Sequence, residues 1–212
     1  GWYSRMRAAH AGRKAAPHVS PFTRNRVFWA LVILAILTFS KNAYMACLSS
    51  FYTFYVIDKF GVSVQVSQVL LFVFLGASAL GILLGGPFGD RYGQKAMIWF
   101  SIIGALPFTL ALPYANLEWS IVLTIMIGLI LSSAFSNIVV LAQELVPGRV
   151  GMIAGIFFGF AFGMGGIAAA VLGVLADARG IDYVFQVCSY LPLVGLLTIF
   201  LPNIAGAGAK RA

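Results

Sequence analysis

Lys41 is a cation placed where an apolar chain can least easily keep one. It lies about 14 residues into the apolar run 27–57, or about 21 Å along a helix rising ~1.5 Å per residue. That depth is near or past the middle of a ~30 Å hydrocarbon core. Tyr44, Tyr52 and Tyr55 follow at spacings that share its helical face. A cation with three phenol rims on one stripe suits the wall of a polar cavity, since ionisable groups inside a membrane are costly and mark sites or pathways. The alternative is that Lys41 snorkels or pairs with an acid on another helix. A second polar cluster, Ser132, Ser133, Ser136 and Asn137, lies in the run 119–143, with Gln143 and Glu144 near its end. Serines in apolar helices often bond back to their own backbone. Asn137 is therefore the stronger cavity candidate, with Ser133 beside it.

Between two apolar runs sits Gly86-Pro87-Phe88-Gly89-Asp90-Arg91-Tyr92-Gly93-Gln94-Lys95. Its order puts glycines where two helices must come close, then an acid, then bases at the membrane edge. Gly86, Asp90, Arg91, Gly93 and Lys95 are the members of this island whose role its order alone leaves open. Further along, Gly151, Gly155, Gly159 and Gly163 recur every four residues. Small residues at that spacing form a flat stripe for close helix packing, and a smooth face also lets helices slide.

Other chemistries are excluded by what the apolar runs lack. All six acids, Asp58, Asp90, Glu118, Glu144, Asp177 and Asp182, fall at run ends or in links. A proton-coupling carboxylate, if one operates, is therefore expected outside this chain. Both histidines, His10 and His18, are in the N-terminal stretch, which argues against an intramembrane metal site. Gly76-Ala77-Ser78-Ala79 resembles an intramembrane serine protease motif, but no histidine in a span could serve as its base. Gly163-Met164-Gly165-Gly166-Ile167-Ala168 mimics a dinucleotide fingerprint without the preceding strand that such a site needs. Cys47 and Cys188, far apart in sequence, read as buried structural thiols. No catalytic residue, metal or cofactor is expected, and the chain does not read as an enzyme.

The elements that must position these residues are helices. Of 212 residues, 61% are hydrophobic and 9% charged, against about a quarter charged in a soluble domain. Apolar runs at 27–57, 64–88, 96–115, 119–143, 151–176 and 183–202 each approach or exceed the ~20 residues that cross a bilayer as helix. The expected fold is an all-α membrane protein of six transmembrane helices, with residues 1–26 a basic linker and 203–212 a tail. Spans one to three and four to six could form a 3+3 inverted repeat, a pattern common in secondary transporters.

The formal net charge of +8 is distributed like a topology signal. With a cytoplasmic start, the inner segments hold Arg5, Arg7, Arg13, Lys14, Arg24, Arg26, Arg91, Lys95, Arg149, Lys210 and Arg211, while the outer links hold Lys59 and Arg179. That is the positive-inside pattern with both termini cytoplasmic, and it leaves no reason to invoke nucleic acid. Residues 1–26 lack the apolar segment of a signal peptide. The first residue is Gly rather than Met, so either processing or a position within a longer protein is expected.

The Gly86–Lys95 island resembles the loop motif of the major facilitator superfamily, with Phe88 in place of the usual Leu and Gln94 in place of the usual first base. The stretch Gln143-Glu144-Leu145-Val146-Pro147-Gly148-Arg149-Val150-Gly151-Met152, continuing through Phe157-Phe158-Gly159-Phe160 to Gly166, is similar to the fosmidomycin-resistance branch. The resemblance covers most of 27–202. It implies the C-terminal half of a twelve-helix transporter and a partner N-terminal six-helix half. It further implies alternating access around a central cavity, and proton-driven efflux of drugs or small metabolites across a bacterial inner membrane. The gate at Gly86, Asp90, Arg91 and Gly93 is carried over from that motif. The branch's drug is an anionic phosphonate, which suits Lys41. A non-transporting six-helix module, or a half-transporter that works only as a dimer, is the alternative.

Overall fold

The computed structural model describes residues 24–146 and 148–200, and the helices begin and end where local chemistry allows. Helix α1 spans Arg24–Phe60, α2 Val64–Tyr92 and α3 Gln94–Ala111, which tightens into a 3-10 turn at Leu112–Tyr114. Helix α4 spans Leu117–Leu145, α5 Val150–Arg179 and α6 Ile181–Ser189, followed by a 3-10 segment, Leu191–Phe200. Two caps follow the usual rule that a short polar side chain accepts from an orphan helix N–H. The Ser63 hydroxyl accepts from Val66 N at 3.4 Å, and Asn116 Oδ1 accepts from Trp119 N at 3.0 Å. Most of the expected linker 1–26 and all of the tail 203–212 lie outside the described residues.

Two expectations change. The Gly86–Lys95 island, read as a polar loop, is helix for most of its length. Helix α2 continues through Pro87 to Tyr92, and Gly93 alone separates it from α3. Proline costs one backbone hydrogen bond, which apolar helices tolerate, whereas Gly93 has φ 90°, a backbone that a residue with a Cβ resists. The sixth span also differs. Among the described residues five helices are long and apolar enough to cross a membrane, but the α-helix of the sixth run stops at Ser189. Pro192 pushes the residue before it away from α geometry, and the chain goes on with a three-residue bond, Leu193 N to Tyr190 O at 3.0 Å.

Packing is centred on α4. Its most apolar stretch is 67% buried, against 28% for α2 and 17% for α5, so α4 is the strut and the other two keep outward faces. Two apolar clusters lie along it. One gathers Leu48, Tyr52, Phe74, Ile127, Leu131 and Phe185. The other gathers Leu34, Leu37, Ile98, Ile138, Leu141 and Phe157. Helices α2 and α4 touch backbone to backbone. A Cβ at Gly81 or Gly85 would collide with the main chain of Leu129 or Ser133, and one at Gly89 would collide with the Asn137 amide. Small residues at every fourth position are what such an approach requires.

Candidate substrate-facing site

Lys41 is 5% exposed, and its ammonium sits 4.8 Å from the centroid of the Phe135 ring on α4. No described residue gives it a hydrogen bond or a carboxylate partner; the negative face of the phenyl ring is its contact. Phe135 meets Phe158 of α5 edge-on at 5.2 Å, and Phe158 stacks on Phe162 at 6.5 Å. Phe158 is 42% exposed and Phe162 77%, so an aromatic row leads from the buried cation to the open face of α5. Next to this contact along the chain, Asn42 Nδ2 and Ser136 Oγ are buried polar atoms without a hydrogen-bond partner among the described residues. Buried orphans of this kind cost about 1–3 kcal/mol each. A buried cation over a phenyl ring, with no counter-ion among the described residues, is an arrangement that an anionic group can complete.

The tyrosines do not join this arrangement. Tyr44, Tyr52 and Tyr55 share a side of α1, but it is the packed side, and all three are buried inside the bundle. Tyr55 stacks on Phe185 at 4.0 Å, donates to Leu112 O at 3.2 Å and receives a hydrogen bond from Lys59 at 2.8 Å. Those contacts tie α1 to the Leu112–Tyr114 turn and to α6. Ser133 and Asn137 face away from Lys41, toward α2 and α3. The Ser133 hydroxyl bonds Ser101 and donates to Ile130 O, while Asn137 Nδ2 donates to Gly85 O at 2.9 Å and Ser133 O at 2.8 Å. Asn137 is thus a clamp across the α2–α4 contact.

The gate residues are close in space because they are close in sequence. Asp90 and Arg91 are exposed on the last turn of α2, Gly93 is the break, and Gly86 and Lys95 are half-buried. The Arg91 guanidinium lies 5.6 Å over the Tyr92 ring, which stacks on Phe88. Among the described residues, the glycine row Gly151, Gly155, Gly159 and Gly163 has no neighbouring atom within reach of an added Cβ. Phe135, Phe158 and Asn42 escaped the sequence reading. Asn42 adjoins Lys41 and could have been noticed, but nothing in the spacing pairs residue 41 with 135 or 135 with 158.

Comparison with known proteins identifies the family and the fold. The family model for the Major Facilitator Superfamily matches residues 31–211. The fosmidomycin resistance protein of Escherichia coli (strain K12) is 56% identical over 202 residues, covering 95% of this chain and 50% of that protein. The uncharacterized MFS-type transporter YfnC of Bacillus subtilis (strain 168) is 39% identical over 205 residues, with 95% and 50% covered. The chain spans about half the length of the curated relatives it matches. The crystal structure of the MFS transporter FucP in the outward conformation superimposes with a TM-score of 0.69 at 15% identity, over 92% of this chain and 45% of that one. The chain belongs to the Major Facilitator Superfamily, in its fosmidomycin-resistance-like branch, and has the fold of one six-helix half of such a transporter.

Proposed function

We propose that this chain is the C-terminal half of a secondary active exporter of small anionic drugs or metabolites, working by alternating access with protons as the driving ion. The observation that carries this reading is Lys41, a buried cation without a carboxylate partner among the described residues, reached from the open face of α5 through Phe135, Phe158 and Phe162. A phosphonate or carboxylate gives such an ammonium the partner that the described residues do not. In this reading an N-terminal six-helix half covers the row Gly151, Gly155, Gly159 and Gly163, and the substrate sits between the halves. The coupling carboxylate belongs to that other half, because the acids of this chain lie at helix ends. Both termini face the cytoplasm of a bacterial inner membrane, as the clustering of Arg and Lys supports.

Asp90, Arg91 and Gly93 then act where α2 turns into α3. A one-residue turn with positive φ couples the tilt of the two helices, and the charges at its edge hold one conformation until substrate shifts the balance. Asp90→Asn is expected to slow turnover while leaving substrate affinity unchanged, measured as the rate and the half-saturation of uptake into inverted vesicles. For the reading as a whole, the full-length protein is expressed in a fosmidomycin-sensitive bacterium. Raised tolerance and lowered drug accumulation are expected. Unchanged tolerance across a panel of anionic drugs, with correct membrane insertion, would remove the export assignment.

A further inference from the structure

On the side of α4 away from Lys41, helices α2, α3 and α4 enclose a groove of about 450 Å³, within the ~300–1,000 Å³ range of ligand sites. Leu84, Phe88, Met97, Phe100, Leu129 and Ile130 make its walls. Ser133 also lines it, but that hydroxyl is already bonded to Ser101 and Ile130 O. The depth of the groove therefore offers nothing to a polar ligand. Along α2 it runs from Gly81 to Tyr92, about 16 Å at ~1.5 Å per residue, which is roughly one leaflet of a ~30 Å hydrocarbon core.

Its mouth is charged, with the bases Arg91 and Lys95 beside the acid Asp90. Tyr92 lines the rim and carries the Arg91 guanidinium 5.6 Å over its ring, and Lys95 precedes the lining residue Ala96. Trp99 and Phe100 are exposed beside it, as aromatic residues are at a membrane–water boundary. An occupant must be apolar over one leaflet's depth and negative at the end. We propose that this groove binds an anionic phospholipid, one acyl chain along α2 and the phosphate at Arg91 and Lys95. Basic rims between membrane helices favour such headgroups. The site lies against the α2–α3 turn, outside the proposed substrate path.

The test uses the full-length protein in detergent, by native mass spectrometry with phosphatidylglycerol or phosphatidylcholine of the same acyl chains. One phosphatidylglycerol is expected to stay bound in preference to phosphatidylcholine, by about fivefold for each basic residue engaged. The double variant Arg91→Gln, Lys95→Gln is expected to lose that preference while still holding either lipid weakly. Ala96→Trp fills the groove and is expected to release both. Should Ala96→Trp fail to fold, melting of the wild-type protein decides instead, with phosphatidylglycerol raising the melting temperature more than phosphatidylcholine. Equal retention or equal melting shifts for the two lipids overturn the proposal. Preference unchanged in the double variant, or an unaltered bound lipid in a folded Ala96→Trp protein, overturns it too. So does retention of neither lipid, the outcome if another segment of the full-length protein fills the groove.

Discussion

Two rows of glycine, each spaced by four, have opposite fates in this bundle. On α2, Gly81, Gly85 and Gly89 lie against α4 so closely that an added methyl would strike backbone or the Asn137 amide. On α5, Gly151, Gly155, Gly159 and Gly163 meet nothing among the described residues. The same sequence pattern therefore serves two purposes: one row fixes helices inside a half, and the other leaves a smooth face outside it. The difference teaches that a small-residue stripe specifies close approach but not the partner. It also divides the molecule into a locked side, α2–α4, and an open side, α1–α5, where Lys41 and its aromatic row emerge.

The largest effect that could break this division is at Gly85. Gly85→Leu drives a side chain into the Ser133 main chain and is expected to cost about 3 kcal/mol, the upper range for overpacking. The full-length protein should then yield little folded monomer by size-exclusion chromatography; a normal yield and melting temperature would mean that the α2–α4 contact is looser than described. Next is Asn137→Ala, which removes the donor bridging Gly85 O and Ser133 O. A loss of about 1 kcal/mol is expected, since interhelical bonds in membranes average ~0.6 and reach ~1.7 kcal/mol, and it is read as a lower melting temperature with substrate affinity unchanged. The smallest effect on folding is at Gly159, where Gly159→Ala is expected within about 0.5 kcal/mol of wild type, as for sites outside packed features. Gly159→Leu should fold equally well yet slow export, because the bulk meets the other half; normal export would show that this row faces lipid.

The helices of both sides could be read from sequence, and how they pair could not. Apolar run lengths place α1 to α5 because membrane crossing is a local property of a segment. The split of the last run at Pro192 was also local, yet hydropathy does not register it. The Lys41 depth followed from counting residues, whereas its burial is a matter of packing that the count does not contain. Its neighbours did not follow. Helical spacing put Tyr44, Tyr52 and Tyr55 on one face but could not say whether that face was packed or open. Tyr55 stacked on Phe185 shows how a polar stripe can be an interior one. In the same way Asn137 looks like a cavity residue when isolated in an apolar run, and becomes a clamp only once Gly85 lies opposite. Tertiary pairing decides these roles, and single-chain periodicity does not contain it.

The role of Lys41 can be measured directly in the full-length protein. Binding of labelled fosmidomycin is compared in purified wild type, Lys41→Arg and Lys41→Met, with melting curves as a check on folding. Loss of a charge-assisted hydrogen bond of about 1.5–3 kcal/mol predicts roughly 10- to 100-fold weaker binding in Lys41→Met and partial recovery in Lys41→Arg. Wild-type affinity in a well-folded Lys41→Met protein would contradict the placement of the substrate anion at this lysine.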